Sequence, residues 1–138
     1  MMRLAAPDCA LFLWASSPLL PQAFAVIEAW GFAYRTLAFC WAKTGRARAG
    51  FVAGKGYWTR AGAELCLLAT RGAPVRLAAD VDQLIAAPRG RHSEKPPQTH
   101  ARIERLVAGP YLELFARRPR PGWDAWGDEA DAFMESEA

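Results

Sequence analysis

Metal and disulfide chemistry have little to work with in this chain. Its three cysteines, Cys9, Cys40 and Cys66, stand far apart inside apolar runs. Its two histidines, His92 and His100, share no ligand spacing with them or with a carboxylate cluster. Without a CxxC pair or a Cys/His cluster, neither a zinc site nor a disulfide framework is signalled, and no metal is expected. The cysteines read as reduced core residues, which points to the cytoplasm. Ser16-Ser17 has no nucleophile-elbow glycines around it, so a hydrolase triad finds no support. An unbroken long hydrophobic run is also missing. Arg3, the apolar Ala10-Leu11-Phe12-Leu13-Trp14 and Ala23-Phe24-Ala25 imitate a secretory signal. Asp8 precedes that run and Pro18 and Pro21 break it, so neither export nor a membrane span is expected.

Apolar residues are abundant instead, at 52% of 138 residues with six tryptophans. That suits one domain with a real core. The net charge of +3 hides an uneven distribution. Six of the fourteen acids lie after Gly122 with no base among them, leaving eight acids against all seventeen bases in the preceding part. A polyanionic partner fits that basic surplus, and so does arginine-rich coding without functional meaning. The residues after Asp128 read as a frayed acidic tail.

Taken in order, Cys9 to Trp14 reads as a buried strand, Ser16-Ser17-Pro18 as a turn, and Leu19 to Trp30 as a helix with Phe24, Ile27 and Trp30 at helical spacing. Gly31 stands where a left-handed residue ends a helix. Phe32 to Lys43 is rich in β-formers, and Glu64 to Ala69 reads as its antiparallel partner. Residues 44–60 form a Gly- and base-rich loop between them. Val81 to Ile85 reads as a short strand or turn. A helix near Gln98 to Val107 is closed by Gly109-Pro110 and followed by the apolar strand Tyr111-Leu112-Glu113-Leu114-Phe115. An Arg-Pro loop ending in tryptophans comes next. Strand–helix–strand order with short connections predicts an α/β layered sheet, with the hairpin of residues 32 to 70 as an antiparallel edge.

Among motifs, Gly50-Phe51-Val52-Ala53-Gly54-Lys55-Gly56 imitates a phosphate loop. It has three residues between the glycines instead of four, and Gly56 stands where Ser or Thr should hold magnesium. The same loop suits nucleic acid better: Arg46, Arg48, Lys55 and Arg60 for phosphates, Tyr57 or Trp58 for stacking on a base. An ordinary solvated hairpin loop is the other reading. Glu113 is a carboxylate in an apolar strand and needs a partner. With the loop residue Lys95 and with Arg117 just past the strand, it would converge at the carboxyl edge of a sheet, where open α/β folds bind ligands. Chemistry alone slightly favours a structural salt-bridge cluster over that ligand site.

An ordered set of segments resembles the MT-A-type family of N6-adenine methyltransferases, particularly the short bacterial and phage members that act on DNA. The segments are Leu11-Phe12-Leu13-Trp14, Ala29-Trp30-Gly31-Phe32 with Trp41-Ala42-Lys43, Gly54-Lys55-Gly56-Tyr57-Trp58, Glu64-Leu65-Cys66-Leu67-Leu68-Ala69-Thr70-Arg71-Gly72, Ala87-Pro88-Arg89 with His92-Ser93-Glu94-Lys95-Pro96, Ile103-Glu104-Arg105-Leu106, Glu113-Leu114-Phe115-Ala116-Arg117 and Gly122-Trp123-Asp124-Ala125-Trp126-Gly127-Asp128-Glu129. The resemblance implies a Rossmann-like, circularly permuted domain that binds S-adenosyl-L-methionine, as a partial methyltransferase domain over residues 1–129 with an acidic flexible tail at 130–138. Lys95 would meet the carboxylate of the cofactor's methionine part. Glu113 lies in the family's cofactor strand, where Phe115 would wall the pocket and Arg117 would lie near the ribose or adenine. Asp128 and Glu129 would form a polar pair on the cofactor. Asp128 replaces the usual asparagine, and an ionised Asp cannot donate a hydrogen bond as an amide does.

The family's catalytic Asp-Pro-Pro-Trp signature is absent from these residues. In the family it holds the adenine amino group for attack on the sulfonium methyl, a reaction that depends on placement. The strand that carries it would also belong within the sheet. The resemblance therefore implies the cofactor-binding portion of an adenine-N6 DNA methyltransferase, inactive alone, with a missing N-terminal segment or a homologous methyltransferase subunit as partner. The alternative is a non-catalytic methyltransferase-like subunit that binds nucleic acid. DNA is the expected substrate ahead of RNA.

Overall fold

The computed structural model describes residues 5–45, 50–90, 94–114 and 120–126. The chain divides into two compact units, Met1–Val107 and Ala108–Ala138.

The first unit holds a four-stranded sheet. Strand β1 (Cys9–Ala15) leads through a 3-10 turn at Ser17–Leu19 into helix α1 (Leu20–Ala29), then come β2 (Ala33–Thr44), β3 (Ala63–Arg71), β4 (Leu84–Pro88) and helix α2 (Gln98–Leu106). The spatial order is β1-β3-β2-β4. β3 runs antiparallel to both β1 and β2, and β4 runs parallel to β2. Strands β1, β2 and β4 therefore point the same way, and their carboxyl ends share one edge with the start of β3.

The near-continuous hydrophobicity of β1 has a physical reason, because side chains on both of its faces make apolar contacts. On one face Cys9, Leu11, Leu13 and Ala15 pack against the cluster of Ala23 and Ile27 from α1 with Phe32, Leu67 and Ala69. On the other, Phe12 stacks on Phe39 and Trp14 meets Trp41 edge to face. Cys66 and Trp41 are fully buried.

Helix α1 is bounded by sequence. Pro21 occupies its first turn, where no intrahelical donor is lost. Gly31, at φ 83°, ends it. The Gly31 amide donates to Glu28 and the Phe32 amide to Ile27, both at 3.0 Å. That double bond pattern is a Schellman motif, with Phe32 and Ile27 sharing the core as its apolar contact.

Three expectations change. The β2–β3 hairpin is not an edge of the described sheet. Its strands are the two inner ones, because β1 takes the outer side of β3 and β4 that of β2. The short strand after it spans Leu84–Pro88 instead of Val81 to Ile85. Arg102 on α2 donates to the carbonyls of Asp82 and Leu84 at the entry of that strand, at 2.8 and 2.6 Å. The loop after β2 is also partly ordered as an extension of the hairpin, with bridges pairing Thr44 with Phe51 and Gly54 with Ala61.

The second unit contains β5 (Tyr111–Leu114) and β6 (Trp123–Trp126), paired in parallel as a two-stranded sheet. Tyr111 and Trp123 are register partners and stack with ring centroids 4.8 Å apart. β6 lies where the sequence suggested only a tryptophan-ended loop. Phe115 and the acidic tail at 130–138 lie outside the described residues.

Candidate functional site

At the shared carboxyl edge the first unit gathers a cluster of charges on aromatic rings. Lys43 is the penultimate residue of β2 and Glu64 the second of β3. The register opposes Glu64 to Trp41, so the carboxylate projects from the face that carries the tryptophans. Lys95 arrives from the segment before α2. Pro96 and Pro97 follow it, and the Pro96 carbonyl accepts the Thr99 amide at 3.1 Å, tying that segment to the helix start.

Glu64 takes both ammonium groups. Lys95 Nζ lies 2.5 Å from Oε1 and Lys43 Nζ 3.0 Å from Oε2. Each lysine also lies over an indole, Lys43 over Trp41 at 5.2 Å and Lys95 over Trp14 at 5.5 Å. Such contacts contribute about 0.5–2 kcal/mol each, depending on desolvation. The two indoles support each other at 77° and 6.3 Å. Trp41 is anchored by its Nε1–H donating to the Ala87 carbonyl of β4 at 2.8 Å.

The electrostatics follow from this geometry. Burial pushes the Glu64 carboxyl up, but the hydrogen bonds and charges of Lys95 and Lys43 more than offset it and hold it below the usual carboxylate value. Glu64 is therefore ionised at neutral pH, and the cluster carries two positive charges against one negative. Side-chain exposures of 28% for Lys95 and 18% for Glu64 leave the surplus cation within reach of solvent. A site of this kind suits one monoanionic group. Beneath it, burial pushes the Cys66 thiol up to about 12 despite the opposing charge of Lys95, which makes it an inert core group and no nucleophile.

Glu64 and Lys43 are the residues that sequence reasoning missed. Lys95 was expected with Glu113 and Arg117. The structure gives it Glu64 as an ion-pair partner, and Glu113 stands half-buried in β5 of the second unit, opposite Ala125. The available signal was a carboxylate at the entry of an apolar strand, the same argument that had singled out Glu113. Phe115, Arg117, Asp128 and Glu129 lie outside the described residues, as do Arg46 and Arg48.

Lys55, Tyr57, Trp58 and Arg60 all sit on the exposed part of the hairpin loop. Tyr57 and Trp58 are 81% and 92% exposed, an unusual state for large aromatics. Trp58 holds a left-handed backbone at φ 68°, which costs a non-glycine residue about 1–3 kcal/mol. Gly56 makes that turn possible, since a Cβ there would come within 2.4 Å of the Thr59 carbonyl. Arg60 donates to the Ala53 carbonyl of its own loop at 3.1 Å. Among the described residues no group of three His, Cys, Asp or Glu could hold a metal ion. No described helix is long and apolar enough to cross a membrane.

Residues 1–129 match the protein family described as MT-A70. The chain is 38% identical over 127 residues to the type II methyltransferase M.MunI of Mycoplasma sp, covering 90% of this chain and 52% of that protein. It is 31% identical over 132 residues to the N(6)-adenosine-methyltransferase MT-A70-like protein of Drosophila melanogaster, 91% of this chain and 21% of that one. Over 52 residues it is 40% identical to the N(6)-adenine-specific methyltransferase METTL4 of Homo sapiens, 37% of this chain and 11% of that one. The chain thus spans about half the length of the first of these relatives, about a fifth of the second and about a ninth of the third.

Proposed function

The chain belongs to the MT-A70 family, and from that premise we propose that it is the cofactor-binding portion of an S-adenosyl-L-methionine-dependent N6-adenine methyltransferase acting on DNA. The observation that carries this reading is the surplus cation of the Lys43–Glu64–Lys95 cluster. It stands at the carboxyl ends of three parallel strands, the position at which open α/β sheets bind ligands. Lys95 is the residue for the carboxylate of the cofactor's methionine part, and the fit is one of charge and position. When bound, the cofactor supplies the methyl group. Glu113, Phe115, Arg117, Asp128 and Glu129 are proposed for its remaining polar and ring contacts, on the resemblance described above.

The Rossmann-like reading is supported by the parallel β1, β2 and β4 with α1 packed on one face. The circularly permuted order rests on the resemblance of the Glu113–Arg117 segment to the family's cofactor strand. Residues 1–129 are proposed as the partial methyltransferase domain and 130–138 as its acidic tail. The free thiols of Cys9, Cys40 and Cys66 support a cytoplasmic setting.

Lys55, Tyr57, Trp58 and Arg60, with Arg46 and Arg48, are proposed as the nucleic-acid surface. A base flipped from a duplex leaves a gap and a mobile strand that exposed aromatics and cations are suited to hold. No Asp-Pro-Pro-Trp occurs in these 138 residues, and a preceding segment or a homologous subunit is proposed to supply the group that holds the adenine. A second reading, a non-catalytic nucleic-acid-binding subunit, draws on the exposed Tyr57 and Trp58 together with that absence. Titration with radiolabelled S-adenosylmethionine and a methyl-transfer assay on adenine-containing DNA separate the two. Cofactor binding without turnover is expected. DNA binding with no cofactor binding favours the second reading, and clear turnover overturns the inactivity of the chain alone.

A further inference from the structure

Two lysines on one carboxylate raise the question of why the second is there. Lys43 is rooted in the sheet: its amide donates to the Gly62 carbonyl at 2.9 Å and its carbonyl accepts the Val52 amide at 3.0 Å. Its ammonium reaches Glu64 Oε2, leaving Oε1 to Lys95. Lys95 springs instead from the connection before α2 and is the more exposed of the two. An incoming carboxylate that drew Lys95 away would leave a half-buried Glu64 without Lys95, beside a second negative charge, an arrangement that opposes binding.

We propose that Lys43 and Glu64 belong to the carboxylate subsite as positioning residues: Lys43 is the standby counter-ion that retains Glu64 while Lys95 turns from it to the ligand's carboxylate. This rests on the cofactor reading above. The exchange leaves every charge paired. Before binding, Glu64 holds both ammoniums; afterwards Lys43 holds Glu64 and Lys95 holds the ligand. The affinity for the carboxylate then follows the summed charge of the three side chains, not the integrity of the Lys95–Glu64 pair.

The test compares S-adenosylmethionine with decarboxylated S-adenosylmethionine, which lacks only the carboxylate, by calorimetric titration of the full chain. Lys43→Met brings the cluster to zero net charge and is expected to weaken S-adenosylmethionine binding by about tenfold while leaving the decarboxylated compound nearly unchanged. Adding Glu64→Gln to Lys43→Met restores the surplus charge and is expected to recover most of the loss. Thermal unfolding of each variant shows whether it is folded, and circular dichroism whether its elements persist. Equal weakening of both compounds, or failure of the double variant to recover with its fold intact, overturns the exchange while the cofactor reading stands. Should the wild-type chain bind neither compound, the cofactor reading fails and the exchange with it.

Discussion

Glu64 and Cys66 stand two residues apart on one face of β3 and answer pH in opposite ranges. The Glu64 carboxyl is held below its ordinary 4.5 by Lys95 and Lys43 acting against burial. A depressed carboxylate stabilises the fold above its unfolded value and loses that contribution as the pH falls through the folded one. The stability difference between wild type and Glu64→Gln, read from urea midpoints, is therefore expected to be present at pH 7 and to shrink below about pH 4.5. Cys66 behaves the other way. Its thiol is raised from 9.0 to about 12 by burial, so the unfolded chain releases that proton first and stability declines as the pH rises above 9.0. At pH 8 an alkylating reagent should modify the half-buried Cys9 and Cys40 ahead of the buried Cys66, as mass spectrometry of peptides would reveal. Lys95 stood out in the sequence through its place in the family-like segment His92-Ser93-Glu94-Lys95-Pro96. Glu64 did not, because its meaning comes from a partner 31 positions away.

At the scale of elements, the strand–helix–strand start was legible from spacing and punctuation. Ile27, Gly31 and Phe32 carry the α1 stop in a form that sequence rules describe. Gly31→Ala forces a left-handed backbone on a residue with a Cβ and is expected to destabilise the first unit by about 1 kcal/mol, measurable as a lower urea midpoint. The pairing order was less legible, since hydrophobic alternation assigns faces but not neighbours. β4 joins β2 through contacts invisible in sequence, one of them the Trp41 indole bond to Ala87. Trp41→Phe removes that bond together with part of the buried indole volume, a loss of about 1–3 kcal/mol that thermal unfolding would register. β6 escaped detection because four residues, Trp123–Trp126, are too short to display a period. In the hairpin loop, Trp58 is expected to contribute to DNA binding through stacking. Trp58→Ala should weaken binding of a single-stranded oligonucleotide by about tenfold, on the order of 1–3 kcal/mol per stacked base, with no change in the salt dependence, whereas Lys55→Ala should flatten that dependence.

For the whole molecule, the chain belongs to the MT-A70 family, and its described residues carry the charge cluster proposed as part of a cofactor site. β1 pairs with β3 along one side, and no described strand pairs with its other side. That edge adjoins the end of the sheet that carries Trp14 and the charge cluster. The chain covers 52% of the type II methyltransferase it resembles. Lys95, at the carboxyl edge of the sheet, is the proposed contact for the carboxylate of S-adenosyl-L-methionine. Calorimetric titration of the wild-type chain and of Lys95→Met with that cofactor tests it most directly. Saturable binding by the wild type and a loss of at least about tenfold in the variant are expected, as for removal of one partner of a charge pair. Equal binding by the two proteins, or no binding by the wild type, would contradict it.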